Sequence, residues 1–282
     1  MIVVGGIPMD IGIIGTGNMG TMLAETLVTS RAVPEERLFV TNRNLQKAER
    51  IRQAYTSINV TPDVSRLARR CDLIFICVRP PQFPALLQTI QPFLQANDTV
   101  VSITSPVTLE QLQSLAPCKT VRAVPSITNR SHTGASLITY GNGWSTIEQE
   151  DFESWMGQFS VPQIVSEETI RASSDIVSCG PAFFGFLLEE MTSAAARKTE
   201  LTEKQAERLA EEMIIGMGTL FSKRLYNLQT LQEKVKVPGG VTGIGLEVLK
   251  QTEGVFDELF TATHEKFAED QRMLKDKFDH LD

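Results

Sequence analysis

The residues with types and spacing suited to chemistry begin with Gly15-Thr16-Gly17-Asn18-Met19-Gly20, a G-x-G-x-x-G run. It follows the apolar segment Asp10–Ile14 and opens an amphipathic helical pattern, the context that gives such a run physical meaning. Gly15 suits a tight turn, Gly17 lets the backbone approach a pyrophosphate, and Gly20 lets the helix pack on the strand. The helix N–H groups then face the phosphates. After the next strand, Leu38–Thr41, stands Asn42-Arg43-Asn44, where an NAD site places a carboxylate for the ribose. Arg43 can instead stack on adenine and pair with a 2′-phosphate, and Asn42 can donate to it. This chemistry favours NADPH, with NADH the second possibility. Cys77-Val78-Arg79-Pro80 ends the fourth strand and belongs beside the ribose and nicotinamide, because ligands of such sheets bind at the carboxyl ends of strands.

Two later segments are unusual among helices. Val177-Ser178-Cys179-Gly180-Pro181-Ala182-Phe183 is a small-residue turn with proline near the first helical turn. Val237-Pro238-Gly239-Gly240-Val241-Thr242-Gly243 exposes N–H groups ahead of a helix expected near Ile244, a cradle for a carboxylate or phosphate. Thr242 reads as a helix cap and as a hydroxyl aimed into the same site. A capped tight turn without chemistry is the plainer alternative.

The elements that must position these residues change character along the chain. Ile11–Ile14, Leu38–Thr41, Leu73–Val78 and Thr99–Ile103 are continuous apolar runs, as expected of strands buried on both faces of a parallel sheet. Helical patterns alternate with them at Met19–Ser30, Leu45–Tyr55, Val64–Arg70 and Phe83–Leu94, and short strands follow near Thr120–Val124 and Ala135–Tyr140. Alternation implies βαβ units and a doubly wound sheet. Beyond Val165 the pattern is helical: Ala182–Lys198, Glu203–Asn227, Leu246–Thr252 and Val255–Phe278. The expected organisation is an α/β Rossmann-like domain over residues 1–165 and an all-α domain over 166–282, in keeping with the chain's length. Met213, Ile214, Met217, Leu220 and Phe221 are too apolar for one small bundle, so homodimerisation through these helices is expected.

Composition narrows the function. Hydrophobic residues make up 42% and charged residues 22%, which fits a folded globular chain. Nearly all of the net charge of −7 falls beyond residue 167, and its sign disfavours nucleic acid as a partner. Cys71, Cys77, Cys118 and Cys179 form no C-x-x-C pair and read as reduced thiols of a cytoplasmic protein. His132, His264 and His280 lack ligand spacing, so no metal is expected. No apolar run reaches the roughly 18–20 residues that span a bilayer. The apolar opening Met1–Pro8 lacks the basic start and long apolar stretch of a secretory signal, and Met9 offers a second start.

From about Met9 to the last helix the chain resembles the pyrroline-5-carboxylate reductase family. The likeness rests on Ile11-Gly12-Ile13-Ile14-Gly15-Thr16-Gly17-Asn18-Met19, Val78-Arg79-Pro80, Val177–Phe183 and Val237–Thr242, in order and at family-like spacing. The resemblance implies NAD(P)H on the first domain, an intertwined dimer or higher homo-oligomer built by the second, and a small imino-acid substrate of proline biosynthesis. It places Thr242 at the imine nitrogen or the ring, with Pro238, Gly239, Gly240, Val241, Cys179 and Gly180 on the substrate side. Thr104 joins the cofactor residues. The departures lie mainly on the substrate side: Val237 replaces a serine, Ser126 stands in the family's M-P-N-T-P, Lys234 replaces an asparagine, and Thr104-Ser105-Pro106 replaces Ala-Ala-Gly. This pattern is similar to the family's divergent late-competence paralogues.

Reduction of the C=N bond of 1-pyrroline-5-carboxylate or a related cyclic imine comes first. A regulatory protein that binds NADP(H) with a different or no substrate comes second. A β-hydroxyacid-type dehydrogenase needs a basic residue early in the second domain. Cys179–Ala196 holds no Lys, Arg or His, which disfavours it.

Overall fold

The computed structural model describes residues 3–4 and 7–280, with side chains from Met9 onward, so the reading of Met1–Pro8 falls outside the described side chains. The chain packs as two compact units, Met1–Cys179 with Thr263–Asp282, and Gly180–Ala262. The sequence changes character earlier, at 165/166.

The first unit is built on one eight-stranded sheet. Its strands are β1 (Ile11–Ile14), β2 (Leu38–Thr41), β3 (Asn59–Val60), β4 (Leu73–Ile76), β5 (Thr99–Ser102), β6 (Lys119–Val124), β7 (Ala135–Tyr140) and β8 (Val161–Ile164). Their order is β3-β2-β1-β4-β5-β6-β7-β8, parallel except where β7 runs antiparallel to β6. Strand order reverses between β1 and β4, the crevice where dinucleotides bind in such sheets. The continuous apolar runs are explained by burial on both faces. Ile11, Ile13, Leu73 and Phe75 pack on one side with Trp155 and Phe159, while Ile14, Ile74 and Ile76 pack on the other with Phe83, Leu87 and Leu112.

Helices α1 (Asn18–Thr29), α2 (Leu45–Ala54), α3 (Val64–Arg70), α4 (Phe83–Ile90), α5 (Leu109–Leu115) and α6 (Thr146–Met156) cover the sheet. Their starts follow capping chemistry: Asn44, Asp63, Thr108 and Ser145 each accept a first-turn N–H. The pattern at Phe83–Leu94 is one helix shortened by Pro92, which introduces a 3₁₀ turn at Gln91–Phe93. α7 (Ile170–Ser174) runs into a π-helical turn, Asp175–Cys179.

The second unit comprises α8 (Gly180–Lys198), α9 (Glu203–Ser222), α10 (Leu228–Val235), α11 (Val241–Leu249) and the start of α12 (Val255–Asp279). The single helix expected over Glu203–Asn227 is interrupted. Arg224 takes a left-handed φ of 52°, and Asn227 caps α10 by accepting from the Thr230 N–H. The far end of α12 belongs to the first unit, where Leu274 is buried in the core beside β4 and α4.

Candidate functional site

The glycine loop after β1 is fixed by sterics. Gly15 has φ +102°, and a Cβ there would lie 2.7 Å from the Cys77 carbonyl oxygen. At Gly20 a Cβ would stand 1.9 Å from the Gly15 carbonyl, so any side chain would push α1 off the strand. Gly17 behaves differently: no atom stands within 4 Å of the place its Cβ would take. That open face borders the first turn of α1, whose N–H groups have no intrahelical acceptor. Buried Thr16 braces the turn, its Oγ1 accepting from Asn42 Nδ2 at 2.8 Å.

Asn42 is therefore partly committed to the loop, and its Oδ1 also accepts from the Asn44 N–H. Arg43 is exposed and has no ion-pair partner among the described residues. Beside the glycine loop opens a cavity of about 620 Å³ lined by Thr16, Gly17, Asn18, Lys47, Arg50 and Arg130, among others. Lys47 and Arg50 lie outside the cofactor contacts read from the sequence. The signal existed in the sequence, since Arg43, Lys47 and Arg50 follow one another at helical spacing. Together they give this edge of the sheet the charge that phosphates require. The open Gly17 face, the helix N-terminus and the unpaired arginine fit a phosphorylated dinucleotide.

The carboxyl ends of β4 and β5 lie across the switch point. Cys77 N–H donates to the Ile14 carbonyl at 2.8 Å, which ties this strand end to the glycine loop. Desolvation pushes the Cys77 thiol well above its ordinary range, which disfavours a thiolate there. Val78 is half-buried and Arg79 exposed, with Pro80 opening a 3₁₀ turn, Pro80–Gln82. Thr104 is half-buried just past β5, its N–H directed to Ser102 Oγ at 3.4 Å. Gly15, Thr16, Gly20, Asn42 and Cys77 thus meet, while Arg43, Arg79 and Thr104 stand at the same edge of the sheet. At the end of β6, the Ser126 hydroxyl donates to the Val177 carbonyl and accepts from Thr128, so it is committed to the fold.

The Gly-rich loop of the second unit is a turn followed by a helix. Gly240 N–H bonds the Val237 carbonyl at 3.0 Å, and Gly239 has φ +74°. Pro238 and Gly239 occupy the central positions that a type II turn prescribes for proline and glycine. The turn leaves Gly240 as the N-cap of α11, so the helix begins at Val241 rather than near Ile244. Thr242 therefore lies within the first turn and is no cap, which corrects that expectation. Its hydroxyl is half-buried and has no hydrogen-bond partner among the described residues. An adjacent open cavity of about 400 Å³ is lined by Lys236, Val237, Pro238, Gly239, Gly240, Gly243, Ile244 and Glu247. Val241 points outward. Cys179 closes the first unit, its Sγ 3.6 Å from Arg171 Nη2, and buried Gly180 opens the second.

Known proteins resemble the chain over nearly its whole length. Residues 167–271 match a family described as pyrroline-5-carboxylate reductase dimerisation, and residues 10–106 match one described as NADP oxidoreductase, coenzyme F420-dependent. ComE operon protein 4 of Bacillus subtilis is 41% identical over 271 residues, covering 96% of this chain and 99% of that protein. Pyrroline-5-carboxylate reductase 3 of the same organism is 28% identical over 92% of this chain and 95% of its own length. Among solved structures, the pyrroline carboxylate reductase of Plasmodium falciparum with NADP bound superposes with a TM-score of 0.80. At 21% identity over 94% of this chain and 98% of that one, it shows the common fold.

Proposed function

The chain belongs to the pyrroline-5-carboxylate reductase family of NAD(P)-dependent oxidoreductases, and from that premise we propose that it reduces 1-pyrroline-5-carboxylate, or a closely related cyclic imine, with NADPH. The product with the first substrate is L-proline. Gly15–Gly20 and the first turn of α1 hold the pyrophosphate, while Asn42 and Arg43, with Lys47 nearby, receive the 2′-phosphate. Bound there, the dinucleotide supplies a hydride.

The observation that carries the reading is the uncommitted Thr242 hydroxyl in the first turn of α11. The reaction needs a donor at the imine nitrogen and an anchor for the carboxylate. Thr242 supplies the first and the N–H groups at the start of α11 supply the second. No strong acid is needed, since the imine itself is readily protonated. A homodimer through the helical unit completes the proposal, supported by the dimerisation-family match and by outward-facing apolar side chains on α8, α9 and α11.

Ser126 favours a second reading. Its hydroxyl is already engaged by Thr128 and Val177, and Val237 offers no hydroxyl at the turn. A chain that binds NADP(H) in a regulatory role would need neither side chain for catalysis. NADPH oxidation measured with 1-pyrroline-5-carboxylate beside other cyclic imines decides between the two. Turnover with a cyclic imine is expected. Tight NADPH binding with no oxidation by any imine would overturn the reductase reading in favour of the second.

A further inference from the structure

The segment after β5, Ile103–Val107, contains no glycine and lies between β5 and α5. Two guanidinium groups, the buried one of Arg122 and the half-buried one of Arg171, hold it. Arg122, on β6, is fully enclosed, and its Nη1 donates to the carbonyls of Ser105 and Val107 at 3.0 Å each. Its Nη2 lies 2.8 Å from the Glu167 carboxylate. Arg171, on α7, reaches the same segment through a side chain: Nη1 donates to Ser105 Oγ at 3.4 Å.

Arg171 is itself held rigidly. Its Nε and Nη2 grip the two oxygens of Asp175 at 3.2 and 2.6 Å, and its guanidinium lies 5.5 Å from the Phe267 ring. Asp175 is 1% exposed and also accepts the Thr263 hydroxyl of α12 at 2.8 Å, with His264 Nε2 3.8 Å away. It opens the π-helical turn Asp175–Cys179, a backbone irregularity met frequently at functional sites. A buried ion pair is weak evidence for stability, because apolar residues of similar volume often do as well or better. What a forked, doubly bonded guanidinium adds is fixed geometry.

The position of the segment says what that geometry serves. Arg43 marks the adenosine end of the crevice at β2, and the glycine loop at β1 takes the phosphates. The other end of a dinucleotide then falls at the carboxyl ends of β4 and β5. We propose that Arg171, locked by Asp175, is a positioning residue that holds residues 103–107 against the nicotinamide end of the cofactor. The proposal rests on the reading of the chain as a nicotinamide-dependent reductase.

Removing Arg171 alone strands a buried carboxylate, so the informative variant is Arg171→Met with Asp175→Leu, which deletes both charges at similar volume. The melting temperature should hold within a few degrees, and NADPH should bind within about twofold of the parent. Amide hydrogen exchange should speed up at residues 104, 105 and 107 of the cofactor-free chain, and the fluorescence of bound NADPH should shift. Where the parent reduces an imine, kcat should fall by about tenfold or more with little change in the KM for NADPH. Unchanged exchange at those amides together with unchanged NADPH emission would overturn the proposal. So would faster exchange confined to α12, which marks a purely structural staple. Exchange and emission are read without turnover, so a parent inactive on every imine sinks the proposed reaction while these measurements still decide the role of Arg171.

Discussion

The sheet unit and the helical unit treat apolar side chains in opposite ways. Strands β1 and β4 are buried along their whole length, each on both faces. In the helical unit Phe186, Ile215 and Val241 stand outward at 61%, 63% and 84% exposure, and Met213 and Ile214 are exposed as well. Fully burying one such side chain is worth about 1.5–3 kcal/mol. One unit encloses a finished core, while the other leaves apolar side chains in the open. A second copy of the chain covers them in the proposal. The acidic excess of the helical half lies on residues such as Glu203, Glu207 and Glu211, which keeps its polar face hydrated.

Charge placed on the exposed apolar face of the helical unit should have the largest effect. Ile214→Glu with Ile215→Glu would bury two carboxylates in the centre of the proposed interface, at several kcal/mol each. Dimer dissociation should rise by about a thousandfold or more. Mass measurement in solution should show a parent dimer and a variant monomer at micromolar concentration. A monomeric parent would mean that the helical unit lives with its apolar face in water.

The same contrast explains what the sequence makes legible. The strands of the sheet and the role of Gly15 and Gly20 follow from local rules, since buried strands read as apolar runs and a glycine loop reads as spacing. β3 and β8 are harder to see: β3 has only Asn59–Val60, and β8 contains Pro162 with mostly outward side chains. The break at Arg224 and the start of α11 depend on turn geometry, a left-handed residue in one case and the Pro238-Gly239 turn in the other. Arg122, Arg171 and Asp175 are illegible for a different reason. The Arg171–Asp175 pair sits at helical i,i+4 spacing, but the contacts that tie it and Arg122 to the loop lie at Ser105, Glu167 and Thr263, and no local pattern announces contacts at such separations.

Within the helical unit, Thr242 tests whether the loop does chemistry or only turns the chain. Thr242→Val keeps the shape and removes the donor. Losing one positioned hydrogen bond in a water-excluded site should lower kcat/KM by about 30- to 1000-fold, or roughly 2–4 kcal/mol. Because Gly240 and not Thr242 caps α11, the melting temperature should scarcely move. A fully active variant would remove Thr242 from the reaction.

In the sheet unit the corresponding test is Arg43→Ala. The parent should prefer NADPH over NADH severalfold, and the variant should lose about tenfold in NADPH affinity, the loss of one charge-assisted phosphate contact, with NADH nearly unaffected. The effect stays modest because Lys47 and Arg50 line the cavity beside the glycine loop and remain in the variant. Equal affinity of the parent for the two cofactors would break the assignment of this edge to a 2′-phosphate.

The smallest effect compares two surface ion pairs, one in each unit. Lys119 on β6 donates to Glu148 of α6, and Ser145 donates to the same carboxylate through its N–H and hydroxyl. In that order, these bonds hold the Glu148 carboxyl at about 2, against an ordinary value of 4.5. The folded chain therefore prefers the ionised form, so the stabilisation is fully present above about pH 4.5 and is lost as pH falls towards 2. Glu148→Gln should lower stability by about 0.2–1 kcal/mol near neutral pH, given solvent screening. The gap to the parent should close in acid. Lys119 is also held near the Trp144 ring, 5.8 Å from its centroid, so the pair needs little further ordering. The pair of Glu247 on α11 with Lys250 just past its end also depresses its carboxyl, first through the Lys250 hydrogen bond and charge and then through the Lys236 charge, but both side chains are open to water. Glu247→Gln should shift the acid limb of the unfolding curve in the same direction as Glu148→Gln but by much less, since water screens the exposed pair. Acid curves that shift alike for the two variants would mean that the sheet unit holds its surface charges no more firmly than the helical one.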